Sequence, residues 1–268
     1  MNIHKISSDV TVMSDSTEVP GIGVLPVNTF VVHAEQPVVV DTGLSTSDKD
    51  FVSDLASVVD PADVRWIWIT HPDRDHTGGM WRLLDAAPNA RIITTFLGVG
   101  ILSTEFPVPL DRVYLLNPGE TLDVGDRTLR AFRPPLFDSP ATTGFIESKS
   151  GAMFSSDCFG GPMQSVDIAT GADWRAAGAV LDAQLLWASI DSPWVHTVDP
   201  DKYQATIDPM RALDPSAIFS THLPPALGEL DRLWEMAAMA PATPGFIGPD
   251  QAALEQLLAS FAPAAETT

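Results

Sequence analysis

The chain turns on one short stretch, His71-Pro72-Asp73-Arg74-Asp75-His76-Thr77-Gly78-Gly79. Four residues of metal-ligand type, His71, Asp73, Asp75 and His76, fall within six positions. Neutral imidazole and carboxylate both bind hard or borderline divalent cations, and the alternating spacing lets one loop present ligands in two directions. Before the loop runs Val64–Thr70 (VRWIWIT), apolar almost throughout, as expected of a strand buried on both faces. After it, Met80–Ala87 has helical spacing. The most polar residues of this half thus sit on the turn between a buried strand and a helix, where rigid scaffolds present chemistry. The competing reading makes Asp73 and Asp75 helix caps, with the two histidines merely exposed.

Outward from this loop, Val10–Met13, Asn28–His33 and Pro37–Val40 read as strands of an antiparallel sheet, the last stopping at Asp41-Thr42-Gly43. Asp48–Val59 has the spacing of an amphipathic helix. Downstream, Arg91–Thr95, a short run inside Gly119–Gly125, Thr128–Phe132 and Gly151–Phe154 read as strands. A further strand, Ala217–Ser220, ends at Thr221-His222, and the last third is otherwise helical: Trp174–Trp187, Asp201–Leu213, Leu230–Met239 and Asp250–Phe261. Asp138, Asp157 and His222 each lie at or just beyond a strand end, so all three can converge on one edge of a sheet sandwich; singly, each also reads as a turn, cap or loop residue. No period of about 20–50 residues signals a repeat architecture. One domain over residues 1–268 is expected, with 226–268 as a C-terminal helical extension.

Composition narrows the partners. With 15 Lys+Arg against 35 Asp+Glu the formal net charge is −20, which argues against nucleic acid and against an anionic membrane surface. Cys158 stands alone, excluding an intrachain disulfide, a CxxC redox pair and a cysteine zinc cluster. The start, MNIHKISSDV, lacks a cationic-then-apolar signal region, and no apolar run approaches ~18 residues, so a cytoplasmic protein is expected. GxSxG, GxxxxGK and HExxH are absent.

Taken together, Asp41-Thr42-Gly43, His71-x-Asp73-x-Asp75-His76-x-Gly78-Gly79, Ser156-Asp157-x-Phe159-Gly160 and Ser220-Thr221-His222 resemble, in kind and order, the motifs of the metallo-β-lactamase superfamily. The resemblance runs from about Val10 to Pro225. It implies an α/β fold, a four-layer αβ/βα sandwich with two metal ions where both sheets end. Carried over by position, it implies that His71 and Asp73 hold the first metal and Asp75 and His76 the second. Asp157 would bridge the two, His222 would complete the second, and Asp41 would orient the ligand loop from outside.

Two departures bear on the chemistry. Most hydrolases of the superfamily have His where this chain has Asp73; a carboxylate there resembles the flavodiiron branch, which has Glu. The superfamily's next ligand is normally a His, but the aligned place holds Asp138, and no His lies between His76 and His196. Either Asp138 replaces that ligand or the first site is incomplete. Four carboxylates and three neutral imidazoles around two divalent ions are formally neutral, and such an oxygen-rich shell favours iron or manganese over zinc. Iron is the first expectation, with zinc or manganese as alternatives.

The leading expectation is therefore an oxidoreductase-type dinuclear metalloenzyme that handles dioxygen, nitric oxide or an oxidisable substrate. The second is a metal-dependent hydrolase of an ester, lactone, thioester or phosphoester, using a metal-bridging hydroxide that Asp75 orients. The third is a non-catalytic oxygen sensor. Residues 223–268 are too few for a flavodoxin domain, so no flavin is expected and electrons would come from a separate donor or the substrate. Trp187, Trp194, His196 and Tyr203 lie in one segment and either line a pocket beside His222 or belong to the core, with His196 a candidate proton donor to substrate. Leu230–Phe261 either covers the metal mouth or forms a homodimer contact.

Overall fold

Alternating side chains on short apolar strands sort the molecule into layers. The computed structural model describes residues 1–45, 50–178 and 180–261. Its first sheet holds β1 (Asn2–Lys5), β2 (Val10–Val19), β3 (Gly23–Val32), β4 (Val38–Val40), β5 (Trp66–Trp68), β6 (Arg91–Thr94) and β7 (Val113–Leu115), side by side in that order. Neighbours are antiparallel from β1 to β4 and parallel from β4 to β7. Parallel neighbours need crossovers, and the segments between them carry α1 (Phe51–Ala56), α2 (Arg74–Thr77), α3 (Met80–Ala86) and α4 (Phe96–Leu102). The second sheet is built from β8 (Thr121–Asp123), β9 (Thr128–Phe132), β10 (Gly144–Glu147), β11 (Ala152–Phe154) and β12 (Ala217–Phe219), in the order β12-β11-β10-β9-β8.

Three apolar clusters separate the layers. Phe30, Val38, Val40 and Trp68 face Phe145, Phe154 and Phe219 between the two sheets. The alternate residues Val31, Val39 and Ile67 point the other way, onto Leu55 of α1 and Leu83 of α3. On the far side, Met153 and Ile218 of the second sheet pack under α6 (Leu181–Asp191), α7 (Pro200–Arg211) and α8 (Leu230–Met239), after the short α5 (Val166–Ala169). The order is helix, sheet, sheet, helix, so the fold is the expected four-layer αβ/βα sandwich. α9 (Gln251–Phe261) follows on the surface, and no helix among the described residues is long and apolar enough to cross a membrane.

Several elements differ from the sequence reading. The helix expected over Trp174–Trp187 is broken: a 3-10 turn, Trp174–Ala177, stops at Gly178, whose φ of 72° is left-handed, before α6 begins. Of the helix expected over Asp48–Val59, Phe51–Ala56 is helical, while Asp48 and Lys49 lie outside the described residues. β1, β7, β10 and α4 form where no element was expected. The chemistry-bearing positions follow the ends of β4, β5, β11 and β12, which share one edge of the sandwich.

Candidate metal centre

The ligand loop is held by backbone contacts before any side chain acts. Gly78 N–H donates to the Gly43 carbonyl (2.9 Å) and Gly79 N–H to that of Thr42 (3.0 Å), locking the loop onto the turn after β4. A Cβ on Gly78 would stand 2.2 Å from the Leu44 carbonyl carbon, so only glycine permits this approach. Asp73 occupies the position before α2, yet its carboxylate makes no capping hydrogen bond. The helix-cap reading therefore fails for Asp73, whose side chain is about half exposed and 3.9 Å from His71 Nε2.

Three imidazoles turn the same nitrogen inward. His71 Nε2 lies 3.4 Å from Asp157 Oδ2 and 3.6 Å from Asp138 Oδ1. His76 Nε2 lies 3.2 Å from Asp157 Oδ1 and 3.6 Å from Asp75 Oδ2. His222 Nε2 is 3.3 Å from Asp157 Oδ1 and 3.4 Å from Asp75 Oδ2. Ligand-type atoms thus gather in two sets, His71/Asp73/Asp138 and Asp75/His76/His222, with one oxygen of Asp157 turned toward each. All seven residues singled out from the sequence as ligands come together here.

The opposite nitrogens fix the tautomers. His76 Nδ1–H donates to Asp41 Oδ2 (2.8 Å) and His222 Nδ1–H to the Pro26 carbonyl (2.7 Å). His71 Nδ1–H donates to Ser156 Oγ (3.2 Å), Ser156 to Thr70 Oγ1 (3.0 Å), and Thr70 to Asp41 Oδ2 (2.8 Å). With each Nδ1 engaged in this way, Nε2 is the ring atom left facing the centre. Asp41 is fully buried, sits at φ 57°, and also accepts Thr70 N–H (2.8 Å) and Thr221 Oγ1–H (3.3 Å). That set of donors over-determines a backbone conformation that non-glycine residues adopt only at a cost.

The centre calls for positive charge. Burial opposes ionisation of Asp157, but His76, His71 and His222 hold its carboxyl well below the usual range. Burial likewise opposes charge on His76, yet Asp157, Asp75 and Asp41 hold it well above the usual imidazole range. Asp138 moves up, through burial first and then the nearby carboxylates of Asp157 and Asp73. Two inward atoms, His76 Nε2 and Asp157 Oδ1, are buried without a hydrogen-bond partner. A carboxylate oxygen and an imidazole nitrogen facing each other at 3.2 Å without a well-formed hydrogen bond, in the middle of an acidic, imidazole-lined cluster, fit a pair of divalent cations between them.

The model of the metallo-beta-lactamase superfamily matches residues 22–146. That segment contains the ligand loop and Asp138. Over that segment, a little under half of its length, the chain is similar to the metallo-beta-lactamase superfamily. Among sequence relatives, the anaerobic nitric oxide reductase flavorubredoxin of Salmonella typhi is 28% identical over 134 residues, which are 50% of this chain and 28% of that protein. Among solved structures, rubredoxin oxygen:oxidoreductase from Desulfovibrio gigas aligns with TM-score 0.75 at 18% identity, over 88% of this chain and 61% of that one. The flavodiiron protein of Giardia intestinalis aligns with TM-score 0.73 at 15% identity, over 90% of this chain and 59% of that one. At such identities the structural likeness speaks to fold.

Three further residues complete the picture of this centre. Asp191, at the end of α6, was not foreseen; its carboxylate oxygen lies within 4.8 Å of those of Asp138 and Asp157. Burial pushes its carboxyl up to about 9, with Asp157 and Asp138 adding to the effect. No motif marks it, because a helix terminus brings it to the site through space. Trp187 does stand beside His222, ring centroids 5.6 Å apart. His196 is placed otherwise: it lies on the 3-10 turn Pro193–Thr197, its Nε2 is 3.0 Å from Ser189 Oγ, and it belongs to neither ligand set.

Proposed function

We propose that this chain is the metal-bearing module of an oxidoreductase that reduces a small oxidant, dioxygen or nitric oxide, at paired iron ions. The observation that carries this reading is Asp157, one carboxylate oxygen turned toward each ligand set within a shell of four aspartates and three imidazoles. His71, Asp73 and Asp138 would hold one ion, Asp75, His76 and His222 the other, and Asp157 both. Bound there, redox-active ions supply one-electron steps that no side chain of this chain can supply. The names of two relatives, a nitric oxide reductase flavorubredoxin and a rubredoxin oxygen:oxidoreductase, support the same direction.

The protein's own part is positional. Asp41 and the Pro26 carbonyl engage Nδ1 of His76 and His222, so Nε2 of each ring is the atom turned toward an ion. Hard carboxylate oxygens favour iron, then manganese, over zinc. A small oxidant is the substrate class, and a separate redox protein the electron donor. Metal analysis after native expression, paired with dioxygen and nitric oxide uptake under a chemical reductant, tests the proposal. Two irons per chain with reductant-dependent uptake support it. Stoichiometric zinc with hydrolysis of ester, lactone, thioester or phosphoester substrates would overturn it.

A further inference from the structure

The segment that delivers Asp138 also walls a second cavity, of about 880 Å³, which the metal centre does not use. That volume lies within the ~300–1,000 Å³ range of small-molecule sites. Arg133, Pro134, Pro135 and Phe137 form one wall; Trp194 and the face of α7 from Lys202 to Met210 form the other. The first wall offers few donors, because neither proline has an N–H. Trp194 adds a ring and no free donor: its Nε1–H is committed to the Phe137 carbonyl at 2.7 Å, and the two rings lie 4.8 Å apart.

Against this apolar lining stand two cations. The Arg133 guanidinium rests 5.1 Å from the centre of the Phe137 ring, and Lys202 is exposed in the first turn of α7. In a chain with 35 Asp+Glu, neither has a carboxylate within ion-pair distance among the described residues. The one carboxylate in the wall, Asp199, is occupied in capping α7 through the N–H groups of Asp201 and Lys202 (3.1 and 3.0 Å). The wall therefore carries one net positive charge, which a monoanion neutralises.

We propose that this cavity binds an apolar monocarboxylate of medium chain length, its head on Arg133 and Lys202 and its tail against Phe137, Trp194 and Met210. The site is independent of the metal reading, since none of these residues is a candidate ligand. It is nonetheless adjacent, because Trp194 holds the backbone one residue before Asp138.

The test titrates the full chain with sodium dodecanoate below its micellar concentration, followed by calorimetry and tryptophan fluorescence, with metal content measured on the same samples. Saturable binding of one dodecanoate per chain is expected. Arg133→Ala with Lys202→Ala together should weaken it at least about tenfold, and dodecanol should bind at least about tenfold more weakly than dodecanoate. Thr206→Trp, which places an indole in the cavity, should abolish binding while leaving the circular dichroism spectrum unchanged. Absence of saturable binding, equal binding by the double variant, or equal binding of dodecanol would overturn the proposal, whatever the metal content.

Discussion

Asp41→Asn is the sharpest perturbation of the centre, because it removes a charge and one acceptor while keeping size and backbone. Asparagine tolerates the left-handed φ of 57° that Asp41 adopts. Its single carbonyl oxygen can still accept Thr70 N–H, now at 2.8 Å from Asp41 Oδ1. The amide NH2 must then take the place of Oδ2, which today accepts His76 Nδ1–H at 2.8 Å and Thr70 Oγ1–H at 2.8 Å. Two donors would face each other unless His76 moves its proton to Nε2. In that tautomer Nε2 points a proton, not a lone pair, at the centre. The chain of hydroxyls from Thr70 through Ser156 to His71 loses its final acceptor as well. Loss of such an outer partner typically lowers metal affinity about 10–100-fold, equivalent to about 1.4–2.7 kcal/mol. Competition with a chelator, read by calorimetry on refolding-competent protein, measures it. Wild-type affinity for both ions in Asp41→Asn would refute the reasoning about tautomers.

Other expectations follow from the same contacts. Gly160→Ala places a Cβ 2.6 Å from His222 Cβ and 2.9 Å from the Asp157 carbonyl oxygen, so it should cost about 1–3 kcal/mol in denaturant unfolding. Arg127→Ala strands the fully buried Glu147 without its cation and should cost about 3–5 kcal/mol in the same assay. Arg127 also holds the carboxyls of Asp126 and Asp9 below their ordinary value of 3.8. Their contribution is present above that value and lost as pH falls through the depressed ones, so the variant should show a flatter acid limb of stability against pH. Metal removal should lower the melting temperature, because the carboxylates of Asp75, Asp138 and Asp157 are left crowded. With metal at a hundredfold excess over Kd the loss is about 2.7 kcal/mol, and each kcal/mol is worth about 2–4 °C at this chain length; an unchanged Tm after verified removal would count against the site.

The candidate ligands were legible because they are local. His71, Asp73, Asp75 and His76 share one loop, and Asp157 and His222 each follow a strand whose apolar run is easy to read. What was hidden depends on contacts remote in sequence. Asp191 reaches the site only because α6 packs across the second sheet. The hydroxyls of Thr70 and Ser156 look like ordinary turn residues until the fold brings them 3.0 Å apart. Short elements were missed for a different reason: β10, Gly144–Glu147, has too few residues for a period to show, and α4, Phe96–Leu102, contains two glycines. α4 forms nonetheless because the Thr95 side chain accepts Gly98 N–H at 3.1 Å. The opposite error, one helix over Trp174–Trp187, came from a break at Gly178 that spacing alone does not reveal.

The most direct test of the central claim is a crystal structure with anomalous diffraction measured across the iron, manganese and zinc absorption edges. Two peaks are expected, one within His71/Asp73/Asp138 and one within Asp75/His76/His222, with Asp157 contributing an oxygen to each and the iron edge giving the strongest signal. A single peak, or two peaks that Asp157 does not join, would contradict it.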